Sequence, residues 1–367
     1  MTQSNEIRWV RLGDYITQRR EKNNNCDVPI LGVTRDGFIP PKQEGADTSL
    51  YNVFYKNDFV FNPARMELNS IYLNLEYEKA ICSSLYEIFY VSKPEELLPE
   101  YLNLFIKRDE FARYCWYDAM GSARNYFRVS NMQDMLIPLP SLERQQKLID
   151  THKGIKFLAK QNEAMAAPLM QLCQSRLQEL KHKYPLTEIG PYIELCDETN
   201  AESIPYKMLG INKDKVFMPT AANVSTVDIK KYKVVKAGRF VFSGMQTGRD
   251  VCIRISLYDD TEPCLVSPAY TTFTIKENMG LMPEYFFLYF RRSEMDRLGW
   301  FVSDSSVRSN LDWNRFVDIK IPMPPVEEQQ AIVNIYKCAA ECKRIAEEAD
   351  RLSREICPAL MQKAIRG

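Results

Sequence analysis

Histidine, cysteine and arginine are the side chains of this sequence that could carry chemistry. The two histidines, His152 and His182, each stand alone on a helical stretch, the setting of a solvated or structural imidazole. Cys338 and Cys342 lie four apart on one helix face, a spacing that a metal accepts. No histidine or second cysteine pair accompanies them, which favours a close helix–helix contact instead. There is no Asn/Asp-Pro-Pro-aromatic motif of an amino-methyltransferase and no Gly-rich loop for a phosphate or dinucleotide. Polar loops remain. Gly121-Ser122-Ala123-Arg124-Asn125 and Asp304-Ser305-Ser306-Val307-Arg308-Ser309-Asn310 each offer hydroxyls, a guanidinium and an amide. Asn62-Pro63-Ala64-Arg65 and Gly244-Met245-Gln246-Thr247-Gly248-Arg249 each follow an apolar run directly. Arginine can bond guanine bidentately and asparagine adenine, and hydroxyls suit phosphate. The candidate DNA contacts are therefore Arg65, Ser122, Arg124, Asn125, Gln246, Thr247, Arg249, Ser306, Arg308 and Asn310. Ordinary surface loops, or arginines held in internal ion pairs, remain the alternative.

These loops come in pairs because the chain repeats itself. Ile137-Pro138-Leu139-Pro140-Ser141-Leu142-Glu143-Arg144-Gln145-Gln146 returns 184 positions later as Ile321-Pro322-Met323-Pro324-Pro325-Val326-Glu327-Glu328-Gln329-Gln330. The prolines force extended chain and the glutamates favour a first helical turn, so each copy switches strand to helix. Pro99-Glu100-Tyr101 matches Pro283-Glu284-Tyr285 at the same offset, and Ser122 and Arg124 match Ser306 and Arg308. Farther upstream the offset drifts: Phe59-Val60-Phe61 matches Phe240-Val241-Phe242. The chain is two copies of one unit, a globular half and then a long helix.

Each half reads as short strands, among them Ile30–Val33, Phe59–Phe61 and Leu85–Val91, followed by a helical face from Pro99 to Tyr114. The helical stretches carry 3-4 seams. One runs Leu148, Thr151, Ile155, Leu158, Asn162, Met165, Leu169, Leu172, then shifts to Cys173, Leu177 and Leu180. Pro168 lies within it and should bend it. The other runs Ile332, Ile335, Ala339, Cys342, Ala346, Ala349, Ser353, Ile356, Leu360. The expected fold is α+β: two similar mixed α/β domains joined by two long helices packed as an antiparallel intramolecular coiled coil with pseudo-twofold symmetry. The expected boundaries are 1–140, 141–183, 184–324 and 325–367. The paired glutamines and their neighbours, Glu143, Gln145, Gln146, Glu327, Gln329 and Gln330, are candidates for partner docking; a capping or packing role explains the glutamines equally well.

Composition bounds the function. The 367 residues carry 48 Lys/Arg against 48 Asp/Glu, so a simple basic nucleic-acid binder is not indicated. Ten scattered cysteines fit reduced thiols and a cytoplasmic home. No apolar run reaches transmembrane length, and the polar start Met1-Thr2-Gln3-Ser4-Asn5-Glu6 lacks a signal peptide's apolar core.

The two switches and the ending Ala359-Leu360-Met361-Gln362-Lys363-Ala364-Ile365-Arg366-Gly367 resemble type I restriction–modification specificity subunits along the whole chain. The resemblance implies two target recognition domains, each reading one half of a split double-stranded DNA site. It implies helices that space the domains and dock two methyltransferase subunits, which carry S-adenosylmethionine. Restriction/translocase subunits would join through the complex, and this chain would hold no cofactor or metal and catalyse nothing. Ser141 and Arg144 depart from the second copy's Pro325 and Glu328. A coiled-coil adaptor whose domains bind proteins is the rival reading.

Overall fold

The computed structural model describes residues 8–24, 27–41, 47–119, 126–220, 227–245, 247–304 and 309–366, without the side chains at 119, 248, 249 and 355–366. Ser122, Arg124, Asn125, Gln246, Ser306 and Arg308 lie outside the described residues, as does the Met1–Glu6 start. The chain divides into two units, Met1–Asn162 with Ile345–Gly367, and Glu163–Arg344.

In the first unit an antiparallel sheet runs in the order Ile16–Arg19, Glu87–Val91, Asp58–Phe61, Ile71–Leu73. Asp58–Phe61 is buried on both faces, which is why it reads as a continuous apolar run. Phe59 and Phe61 enter the larger core and Val60 a smaller one on the other side. The smaller core lies under the hairpin Gly32–Val33/Phe38–Ile39 and the pair Asn52–Tyr55/Lys79–Cys82, linked by a parallel bridge from Ile30 to Ile81. The expected strands are therefore shorter than the apolar runs: Leu85-Tyr86 belongs to a turn closed by Tyr86 N–H donating to Ser83 O. The expected helix from Pro99 is two helices, α1 (Pro99–Ile106) and α2 (Asp109–Ala119). The break follows from the capture of the Ile106 carbonyl by the Asn69 amide at 2.8 Å and of Lys107 Nζ by Ile71 O at 2.6 Å. After α3 (Val129–Met132), strand Leu136–Leu139 pairs with Arg8–Arg11 and runs into α4 (Leu142–Lys183).

The second unit repeats the plan. Its sheet runs Ile193–Leu195, Thr271–Ile275, Phe240–Ser243, Arg254–Leu257, the same order by equivalence. A second sheet orders Phe217–Pro219, Lys207–Ile211, Cys264–Val266, Lys233–Val235. Here the parallel link between Lys207–Ile211 and Cys264–Val266 is a full pairing rather than one bridge. Phe240 stacks on Phe273 with centroids 4.9 Å apart, as Phe59 stacks on Phe89 at 4.8 Å. Then come α5 (Thr247–Asp250), α6 (Pro283–Phe290), α7 (Ser293–Val302) and α8 (Trp313–Val317). Strand Lys320–Pro322 pairs with Leu186–Glu188 and leads into α9 (Val326–Arg366).

The seam expected in α9 is where burial puts it. Ile332, Ala339, Ala349 and Ser353 are buried, with Ile335, Cys342 and Ala346 half-buried; the side chains of Ile356 and Leu360 lie outside the described residues. The seam of α4 needs correcting. Ile155, Asn162 and Leu169 do face inward, but Thr151, Leu158, Met165 and Leu172 are exposed. Their places are taken one residue later by His152, Ala159, Ala166 and Cys173. The larger Leu158, Met165 and Leu172 stay outside, and the smaller Ala159, Ala166 and Cys173 take the covered positions. In the second unit Cys173, Leu177 and Leu180 share a core with Ile332 and Val333. Lys183 Nζ reaches Glu328 at 3.1 Å, and the Tyr184 hydroxyl donates to the same carboxylate. α4 runs unbroken through Pro168. The carbonyl that loses its donor belongs to Ala164, on the exposed side, where it is open to solvent.

Candidate functional site

In each unit a backbone hydrogen bond joins described residues that flank the candidate segments. In the first, Phe127 N–H donates to Pro63 O at 3.0 Å, tying the chain just past 121–125 to the Asn62–Arg65 turn. In the second, Leu311 N–H donates to Gly244 O at 2.8 Å, tying the chain past 304–310 to the start of 244–249. Gly244 is required there, because a Cβ would stand 1.7 Å from Leu311 O. The base of the 304–310 loop is closed by Asp304 N–H to Asn310 O at 2.9 Å and Asn310 N–H to Asp304 Oδ1 at 2.9 Å. Asn310 is half-buried in that closure.

The turn at Asn62 is self-made: its Oδ1 accepts Ala64 N–H at 3.1 Å, and Pro63 begins a short 3-10 segment. Arg65 is exposed and makes no ion pair among the described residues. Other arginines are occupied internally. Arg19 grips buried Asp58 through two hydrogen bonds of 2.7 and 3.0 Å, and burial raises that carboxyl's pKa against the pull of Arg19. Thr247 does not present itself as expected. It is buried, and its hydroxyl donates to Gly244 O at 3.0 Å, so it holds the turn. Arg249 stands on α5 two residues beyond it.

The paired glutamines separate into two roles. Gln145 is fully buried, and its amide is engaged with backbone three times. Its Oε1 accepts Leu98 N–H at 2.9 Å, and its Nε2 donates to Glu96 O at 2.8 Å and Pro140 O at 2.9 Å. Gln329 repeats this with Met282 N–H at 2.8 Å, Gly280 O at 2.7 Å and Pro324 O at 2.8 Å. Beside each, a buried tyrosine donates to the preceding proline carbonyl: Tyr101 to Pro138 O and Tyr285 to Pro322 O, both at 2.8 Å. Of the roles left open for these glutamines, packing is the one Gln145 and Gln329 take: they staple the long helix to its domain. Gln146, Gln330, Glu143 and Glu327 are exposed. Gln146 and Gln330 bond one turn ahead, to Asp150 and Asn334, each at 2.8 Å.

Residues 179–345 match the family model described as the type I restriction modification DNA specificity domain. The first unit has the same strand order and the same helix junction as the second. That match falls on the second unit. Among solved structures it is similar over its full length to the type I restriction-modification S subunit of M. genitalium, with 12% identity, 98% of that chain covered and a TM-score of 0.57. That likeness bears on the fold. The HsdS subunit of Thermoanaerobacter tengcongensis is 17% identical over 98% of this chain and 97% of its own, at a TM-score of 0.47. No curated protein matches the chain. No described helix is long and apolar enough to cross a membrane.

Proposed function

We propose that this chain is the sequence-specific DNA-recognition subunit of a type I restriction–modification complex. Each unit reads one half of a bipartite site, and the chain itself catalyses nothing. The observation that carries this is the match to the specificity domain in the second unit, combined with the repetition of that unit's topology and loop pairing in the first. The DNA contacts are drawn from the joined loops, with Arg65, Arg124 and Asn125 in one unit and Gln246, Arg249, Ser306, Arg308 and Asn310 in the other. Ser122 completes the first set as a phosphate contact.

The spacer reading is an antiparallel pair of α4 and α9. It is supported by the contacts of Cys173 with Ile332 and of Lys183 with Glu328, which run in opposite senses along the two helices. The complex holds two methyltransferase subunits, which bring S-adenosylmethionine, and restriction/translocase subunits, and it works in the cytoplasm. Formal neutrality suits a subunit whose partners share the phosphate contacts. The test is single-molecule sequencing of methylated adenine in cells expressing the chain with its methyltransferase partner. A two-part methylated motif that disappears with this chain is the expected result. Methylation without sequence preference, with the complex assembled, would support the protein-adaptor reading instead.

A further inference from the structure

An aromatic face repeats on the outside of both units, and the DNA reading does not use it. α2 turns Phe111 and Cys115 into the core and sets Tyr114 edge-on to Phe127 at 6.1 Å. Its outer face carries Arg113, Trp116 and Tyr117, which are neighbours on a helix surface. Trp116 is 57% and Tyr117 75% exposed. α7 carries Arg297, Trp300 and Phe301 at the same offset of 184, with Trp300 52% and Phe301 85% exposed. A single exposed apolar residue needs no explanation, but two large rings beside a guanidinium in both units do.

The inner positions of the same helices have drifted. Phe111 corresponds to Met295, Tyr114 to Leu298 and Cys115 to Gly299, where α7 packs so closely that a Cβ would meet Ile253 at 2.3 Å. Folding alone constrains inner positions and frees outer ones; here Arg113, Trp116 and the ring of Tyr117 recur on the outside as Arg297, Trp300 and Phe301. A contact outside the chain accounts for that inversion. DNA fits poorly. Units that read different half-sites need different reading residues, and a duplex offers no base face to a ring without unstacking. The helix also sets Glu110 3.8 Å from Arg113 and exposes Asp118, both unfavourable beside phosphate. Two copies of one protein, by contrast, require the same patch twice, and Trp, Tyr and Arg are the side chains that dominate protein interfaces.

We propose that Arg113–Trp116–Tyr117 and Arg297–Trp300–Phe301 are equivalent docking patches, each for one copy of the methyltransferase subunit. This rests on the specificity-subunit reading above. The matching surface on the partner is an apolar pocket rimmed by carboxylates.

The test titrates the full chain with the methyltransferase subunit and counts bound copies by native mass spectrometry. Trp116→Ala/Tyr117→Ala and Trp300→Ala/Phe301→Ala should each weaken one of the two binding steps by on the order of ten-fold or more, and together both. Duplex-DNA binding by the chain alone should not change. Tyr117→Lys and Phe301→Lys, at the most exposed ring of each patch, should give the same pattern if the alanine variants fold poorly. Unchanged stoichiometry and affinity overturn the proposal. So does a loss of DNA binding with partner binding intact, which would make the patches a nucleic-acid surface. If the unsubstituted chain recruits no methyltransferase subunit, the specificity-subunit reading itself falls.

Discussion

Gln145 and Gln329 each satisfy one backbone N–H and two carbonyls that are otherwise buried at the domain–helix junction. Truncating either leaves those groups without partners, so Gln145→Ala and Gln329→Ala should each destabilise the chain by about 1–3 kcal/mol. Gln146→Ala and Gln330→Ala, at exposed positions, should stay within about 0.5 kcal/mol. Denaturant melts of the four variants check this contrast. A second residue makes stability depend on pH. Burial, reinforced by Lys156, lowers the pKa of His152 to about 4. As pH falls below about 6.5 the unfolded chain takes up the proton first. The stability that the neutral imidazole contributes is therefore complete above that pH and drains away toward pH 4. His152→Gln should lose less thermal stability than the parent between pH 7.5 and pH 5; parallel melting curves would disprove the assignment. The glutamine pairs could be seen in the sequence, but not which member turns inward. That depends on where the 93–98 and 277–282 loops pass, and periodicity carries no information about loops.

At the scale of elements, strand-to-helix switches and alternating runs were legible because proline and β-branched residues act locally. The splitting of α1 from α2 was not, since it depends on Asn69 and Lys107 reaching across the fold. Nor was the seam of α4 legible: size of side chain pointed to Leu158, Met165 and Leu172, whereas burial selects Ala159, Ala166 and Cys173. The small residues of α9 leave little space, with Ala339 1% exposed. Ala339→Leu should thus overpack the seam and cost about 1–3 kcal/mol. Leu158→Ala should change stability by no more than about 0.5 kcal/mol. Equilibrium unfolding distinguishes the two; equal effects would place Leu158 back in the seam.

For the whole molecule, the repeat was the most legible feature, because an offset kept over so many positions needs no propensity argument. The candidate contacts were legible only as loops. The structure adds the backbone bonds of Phe127 to Pro63 and of Leu311 to Gly244 beside them, and turns Thr247 inward. If each unit reads its own half-site, Arg65→Ala should relax or weaken recognition of one half only and Arg249→Ala the other. A bidentate base contact would be worth about 1–3 kcal/mol. Methylation of substrates altered in one half at a time measures this; a uniform loss across all substrates would mark the arginines as phosphate contacts. The stapled junctions also govern precision. A helix of 41 residues is a lever about 60 Å long. A 5° wobble at an unstapled elbow would swing its far end by about 5 Å, more than the ~3.4 Å step between stacked base pairs. If the helices space the half-sites as proposed, two buried amides set the tolerance of that measurement.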